Sequence, residues 1–145
     1  MLSRLSTAGL RALNLAGKKV LPIVQGGMGV GVSAHRLAGS VAREGAVGTV
    51  ASVDLRHHHP DLLEQSHRQP KEYIDNLNLI ALDREIKAAR ELSGGNGLIA
   101  VNVMKAVKEH GQLVRQACAS GADAIVMGAG LPLDLPEMTA SHPKV

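Results

Sequence analysis

Val20 to Gly31 reads Val-Leu-Pro-Ile-Val-Gln-Gly-Gly-Met-Gly-Val-Gly, and its two halves ask for different things. The first is an apolar, β-branched run with lysines before it and glycines after, which predicts a short strand over 20–24 buried on both faces. The second is mostly main chain. Four glycines, Gly26, Gly27, Gly29 and Gly31, stand among six residues. They remove the Cβ atoms that would hold a ligand off the backbone and allow turns with positive φ. A flat or anionic ligand is expected to lie against them.

Two ligand classes fit such a bend. Gly29-Val30-Gly31-Val32-Ser33-Ala34 satisfies G-x-G-x-x-G/A, a helical pattern follows, and Asp54 closes the next strand where a ribose-binding carboxylate would sit. That reading is a Rossmann NAD-binding module. It requires the first glycine directly off the strand, whereas Gln25-Gly26-Gly27-Met28 separate Val24 from Gly29. The longer string, Pro-Ile-Val-Gln-Gly-Gly-Met-Gly, resembles the first-strand motif of the nitronate monooxygenases (2-nitropropane dioxygenases), flavin enzymes of the (β/α)8-barrel class. Ala38 to Arg56, Gly97 to Met104 (Gly-Leu-Ile-Ala-Val-Asn-Val-Met) and Gly121 to Pro132 (Gly-Ala-Asp-Ala-Ile-Val-Met-Gly-Ala-Gly-Leu-Pro) resemble the same family in the same order. The likeness covers nearly all of the chain after Gly17.

The resemblance implies an α/β fold of parallel βα units forming the N-terminal half of a TIM barrel. A whole barrel takes about 250 residues and this chain has 145. Residues 1–19 then form a lead-in and 20–145 carry strands one to four of an incomplete FMN-binding barrel. It further implies that the backbone at Gly26, Gly27 and Met28 lies against the FMN ring and that Asn102 hydrogen-bonds the cofactor, with Gln25 and Gly128 nearby. The reaction implied is oxidation of an alkyl nitronate, or of the parent nitroalkane, by dioxygen to a carbonyl compound and nitrite. The family's catalytic histidine, a general base for neutral nitroalkanes, stands in a Gly-Gly-His context that none of His35, His57, His58, His59, His67, His110 and His142 shares. No catalytic residue is assigned, and the phosphate grip of such barrels comes from loops after strands seven and eight. Two alternatives remain: a related FMN-dependent enoyl thioester reductase using a nicotinamide cofactor, and a truncated half-barrel without turnover.

Composition narrows the partners. The chain is 45% hydrophobic and 20% charged, enough for a globular core. Sixteen Lys and Arg against thirteen Asp and Glu leave a net charge of only +3, with the basic residues scattered. With Tyr73 the only aromatic, there is no base-stacking platform, and no nucleic-acid partner is expected. No apolar run reaches the ~18 residues of a membrane span. Cys118 alone makes no internal disulfide and fits a reducing, cytoplasmic setting; on an apolar helix face it reads as packing. Residues 1–43 hold Arg4, Arg11, Arg36, Lys18 and Lys19 but no acid, a weak echo of an organellar leader. Leu10, Leu13 and Leu15 fit an amphipathic lead-in near the barrel floor better.

In chain order, Ser33 is placed as N-cap of a helix carrying Leu37, Ala38, Val41 and Ala42. Ala46 to Val53 is a second buried strand, in which Gly48 marks a close approach. Asp54 to Pro70 reads as irregular. Its His57, His58, His59 and His67 lack the second cluster that a tetrahedral zinc site needs, so no metal site is assigned. A helix from about Asp75 buries Leu79, Leu82, Ile86 and Ala89, shows Asp83, Arg84, Lys87 and Arg90 to solvent, and stops at Ser93–Gly97. Leu98 to Val103 is strand three, interrupted by the polar Asn102. Gly111 to Ser120 is a helix and Ala124 to Met127 strand four. The β-α-β-α-β-α-β order favours parallel pairing. Half a barrel leaves two open sheet edges, through which self-association is expected.

Overall fold

The computed structural model describes residues 9–15 and 17–145. The part of the basic lead-in before Gly9, Arg4 included, lies outside the described residues. Elements follow in the order β1 Leu13–Leu15, β2 Lys18–Val20, α1 His35–Arg43, β3 Val47–Ala51, a 3-10 turn Leu55–His58, α2 Pro60–Gln65, α3 Lys71–Ser93, β4 Leu98–Met104, α4 His110–Ala119, β5 Ala124–Gly128 and α5 Leu135–Thr139.

The main sheet is parallel, ordered β3-β4-β5, with Val47 opposite Leu98 and Ala100 opposite Ala124. Residues 21–25 lie along its β3 edge. Leu21 N–H donates to Gly45 O at 2.8 Å, Val47 N–H to Ile23 O at 3.0 Å and Gln25 N–H to Val47 O at 2.9 Å, and Val24 makes a parallel bridge to Val47. The expected first strand is therefore present as an irregular edge, not as a strand buried on both faces. Pro22 has no N–H to give a ladder, and Ile23 and Val24 are about half exposed, at 49% and 55%. Val20 instead ends an antiparallel hairpin in which Leu13 faces it. Gly17, at φ +73°, sits in the turn of that hairpin.

The alternation of the strands separates two faces. Val50, Ile99, Val101 and Val103 point into a core shared with Ala38 and Ala42 of α1, Leu82 and Ile86 of α3, and Val114 and Ala117 of α4. Three helices thus cover one face. The other face is closed at its lower end by the hairpin, where Val20 packs on Val47, Leu98 and Ala100, with Leu13 and Ala124 against them. Sequential strands with all crossover helices on one side are the arrangement of a barrel wall. A Rossmann sheet places its first strand centrally and its helices on both faces, so the dinucleotide reading of Gly29–Ala34 is not supported. The structure shows four consecutive parallel segments and no closed barrel.

Several boundaries differ from expectation for identifiable reasons. Ala34, not Ser33, is the N-cap of α1, and it makes no side-chain capping bond; the Ser33 hydroxyl is engaged elsewhere. Leu37 is 40% exposed while Ala38, Gly39 and Ala42 face the core. The long helix starts at Lys71, directly after Pro70, and Lys71 Nζ pairs with Asp75 one turn on at 2.8 Å. Residues 54–70, read as irregular, hold the 3-10 turn and α2, which Pro60 opens from its first position. The polar face of α3 is used up in ion pairs: Asp83 with Lys87, Arg84 with Asp61, Arg90 with Asp123. Cys118 is buried and unpaired, and burial pushes its thiol pKa up, as suits a packing residue. Among the described residues, no helix is long and apolar enough to cross a membrane.

Candidate functional site

The glycine bend leaves the sheet at the C-terminal ends of the strands, the end at which barrel enzymes carry their chemistry. Its core is a polar clasp. Gln25 reaches back to accept the Thr49 N–H with Oε1 at 2.8 Å, and its Nε2 donates to the Ser33 hydroxyl at 2.8 Å and to Gly26 O. Ser33, fully buried, accepts the Met28 N–H at 2.9 Å and donates to Gly26 O at 3.0 Å. Its own backbone ties the bend to the sheet: Ser33 N–H donates to Met28 O at 2.9 Å and Ala51 N–H to Ser33 O at 2.8 Å.

Across from the bend stands Asn102, on the same face of β4 as Leu98 and Ala100. Its Nδ2 donates to Val126 O at 3.2 Å. Gly27 lies directly against it: a Cβ there would fall 2.9 Å from Asn102 Cγ and closer still to its Cβ. Glycine is needed at 27 so that the amide can fit beneath the main chain. Gly26 and Gly128 differ, because added Cβ atoms at either position would meet nothing within 4 Å. Gly128 pairs with Met104 across the ladder, and its carbonyl accepts the Lys105 N–H at 2.8 Å. Met28 is 60% exposed beside the bend.

The structure therefore brings Gly26, Gly27, Met28 and Asn102 into one place and sets Gly128 next along the rim. Gln25 is nearby in the same sense, but its amide is consumed by protein partners, which leaves it a supporting part. Two groups escaped the sequence reading. Ser33 looked like a helix cap because it precedes a helical pattern; only its spacing from Gln25 across a glycine bend hinted at a clasp. Thr49 belongs to an apolar run, yet its Oγ1 is buried with no hydrogen-bond partner among the described residues.

Neighbouring charged groups are mostly spoken for. Lys105, just past β4, donates to both carboxylate oxygens of Asp134 at 2.6 Å and lies 3.1 Å from His110 Nε2. The Lys105 hydrogen bond holds the Asp134 carboxyl below its ordinary pKa. Asp54, the expected ribose carboxylate of the dinucleotide reading, bonds Arg56 and Asn78 instead. Two histidines, His35 and His59, face the buried Glu85, while the His58 ring covers Gly31, where a Cβ would lie 2.6 Å from its Cδ2.

This geometry and the strand order agree with the comparison against known families, in which the nitronate monooxygenase profile matches residues 13–141. The chain belongs to the nitronate monooxygenase family. No curated protein matches it. Membership makes the chain oxidoreductase-like, in a family that is generally flavin-dependent. The residues at hand fit a planar cofactor on two counts. Gly26 and Gly128 leave open space on the rim, and Asn102 Oδ1 carries no hydrogen bond from the described residues.

Proposed function

We propose that the nitronate monooxygenase-like chain supplies the ring-binding half of an FMN site that oxidises alkyl nitronates with dioxygen to a carbonyl compound and nitrite. The observation that carries this reading is the packing of Gly27 on Asn102. It sets a side-chain-free stretch of backbone and a carboxamide side by side at the C-terminal ends of the strands. In this reading Gly26, Gly27 and Met28 support the isoalloxazine ring, Asn102 hydrogen-bonds its polar edge, and Gly128 lets the ring extend over β5. When bound, FMN supplies the electron acceptor and the centre at which dioxygen is reduced. The chain's part is to bind and orient. The half-exposed Met28, Met104 and Val126 give the mouth an apolar lining suited to an alkyl chain.

No described residue is assigned the phosphate grip or the role of the family histidine. Ile23 and Val24 on one edge and Val126 at the other remain accessible, and self-association through these edges is part of the proposal. A nitronate is already ionised and needs no base, whereas a neutral nitroalkane does. With FMN and dioxygen, the chain is expected to release nitrite from propane-2-nitronate and none from 2-nitropropane, read by nitrite assay and oxygen consumption. Reduction of an enoyl thioester by NADPH instead would support the reductase alternative. Absence of turnover on either would leave a half-barrel that binds without catalysis.

A further inference from the structure

The clasp around the bend does something that bare glycines do not. Of the backbone polar groups at 26–28, the Gly26 carbonyl and the Met28 N–H and carbonyl are engaged within the protein. The Gly26 and Gly27 N–H groups have no acceptor among the described residues, and both glycines are exposed. The Ser33 hydroxyl has one proton and two acceptor positions, and all are used: the proton on Gly26 O, the acceptor positions on Gln25 Nε2 and Met28 N. Gln25 is equally spent, its Oε1 on Thr49 N and its Nε2 on Ser33 and Gly26. Left without these bonds, a glycine-rich bend samples many conformations, because glycine loses more freedom on ordering than any other residue.

We propose that Ser33 and Gln25 are positioning residues whose hydrogen bonds hold the Gly26 and Gly27 N–H groups outward as a fixed pair of donors for the acceptor atoms of the flavin ring. Neither side chain touches the ring; they act through the backbone. The inference rests on the flavin reading above. Fixed donors cost no reorganisation when negative charge develops on the ring, so the clasp governs both the affinity for flavin and its electronic environment.

The test is titration of the full chain with FMN, followed by fluorescence quenching and the visible absorption band of the bound flavin, for the native chain, Ser33→Ala and Gln25→Glu. Glutamate keeps the acceptor for Thr49 N but offers Ser33 and Gly26 no proton. Each variant is expected to weaken FMN roughly fivefold or more, the scale of a lost hydrogen bond, and to shift the flavin band. The double variant should be little worse than either single one, because the two residues form one unit. Absence of saturable binding by the native chain would remove the flavin reading and this inference together. Native-like affinity and spectrum in folded variants would overturn the clasp alone. If both variants lose the fold, judged by circular dichroism, the clasp is a folding element and the proposal fails.

Discussion

Replacing Gly48 by alanine is expected to lower the midpoint of thermal unfolding by roughly 5 to 10 °C. Gly48 is the second residue of β3, with its missing side chain facing α1, and a Cβ there would fall 2.6 Å from the Ala38 carbonyl carbon and 1.8 Å from its oxygen. The obstacle is helix backbone, which cannot rotate away as a side chain could. Two effects oppose each other. Alanine lowers the entropy of the unfolded chain, worth about 0.4 to 1 kcal/mol in its favour. Forcing α1 off the sheet costs about 3 kcal/mol, the upper end of overpacking penalties, and also disturbs the burial of Ala38 and Ala42. The clash wins. Gly26→Ala is the matching control, because its Cβ would meet nothing within 4 Å, and its melting curve is expected to stay close to native. Circular dichroism melts of the two variants check both results.

Glu85→Ala is expected to destabilise the chain by about 3 kcal/mol. Glu85 is 1% exposed on α3. One carboxylate oxygen accepts the His35 backbone N–H at 2.6 Å and faces His35 Nδ1 at 2.7 Å, while the other stands 3.1 Å from His59 Nε2 without hydrogen-bond alignment. This one side chain therefore ties down the first residue of α1, which follows the glycine bend, and the turn that begins α2. Alanine strands a helix-terminal N–H and a largely buried imidazole with no counterpart. Glu85→Gln keeps an acceptor for the His35 N–H and is expected to lose less than half as much, measured by urea unfolding. Equal losses in the two variants would mean that charge, not hydrogen bonding, carries the stabilisation.

How far the sequence could be read follows from where the information sits. The parallel wall was legible because Leu98 to Val103 and Val47 to Ala51 are short apolar runs between helical patterns, and because Gly48 stood out as a strand glycine with a reason. The pairing of the bend with Asn102 was legible only through family resemblance, since no periodicity links residues 75 positions apart. Ser33 was misread because a serine before a helical pattern satisfies local rules for a cap; its real partners are set by the bend folding back on itself. Glu85 was passed over on a helix whose polar positions mostly face solvent, and only the approach of α1 and the histidine turn explains its burial. The hairpin escaped notice because Leu13–Leu15 and Lys18–Val20 are too short to show a period. The first strand is less regular than its apolar, β-branched run implies, because Pro22 has no N–H to give a hydrogen-bonded ladder.

The account turns on whether the bend and the amide of Asn102 form a single flavin pocket. The most direct measurement is the amide proton–nitrogen correlation spectrum of the isotopically labelled chain as FMN is added. The account predicts saturable shifts concentrated at the Gly26 and Gly27 backbone amides, the Asn102 side-chain amide and Gly128, while α3 stays unmoved. Shifts that leave Gly27 and Asn102 untouched, or that gather on the helical face, would contradict it.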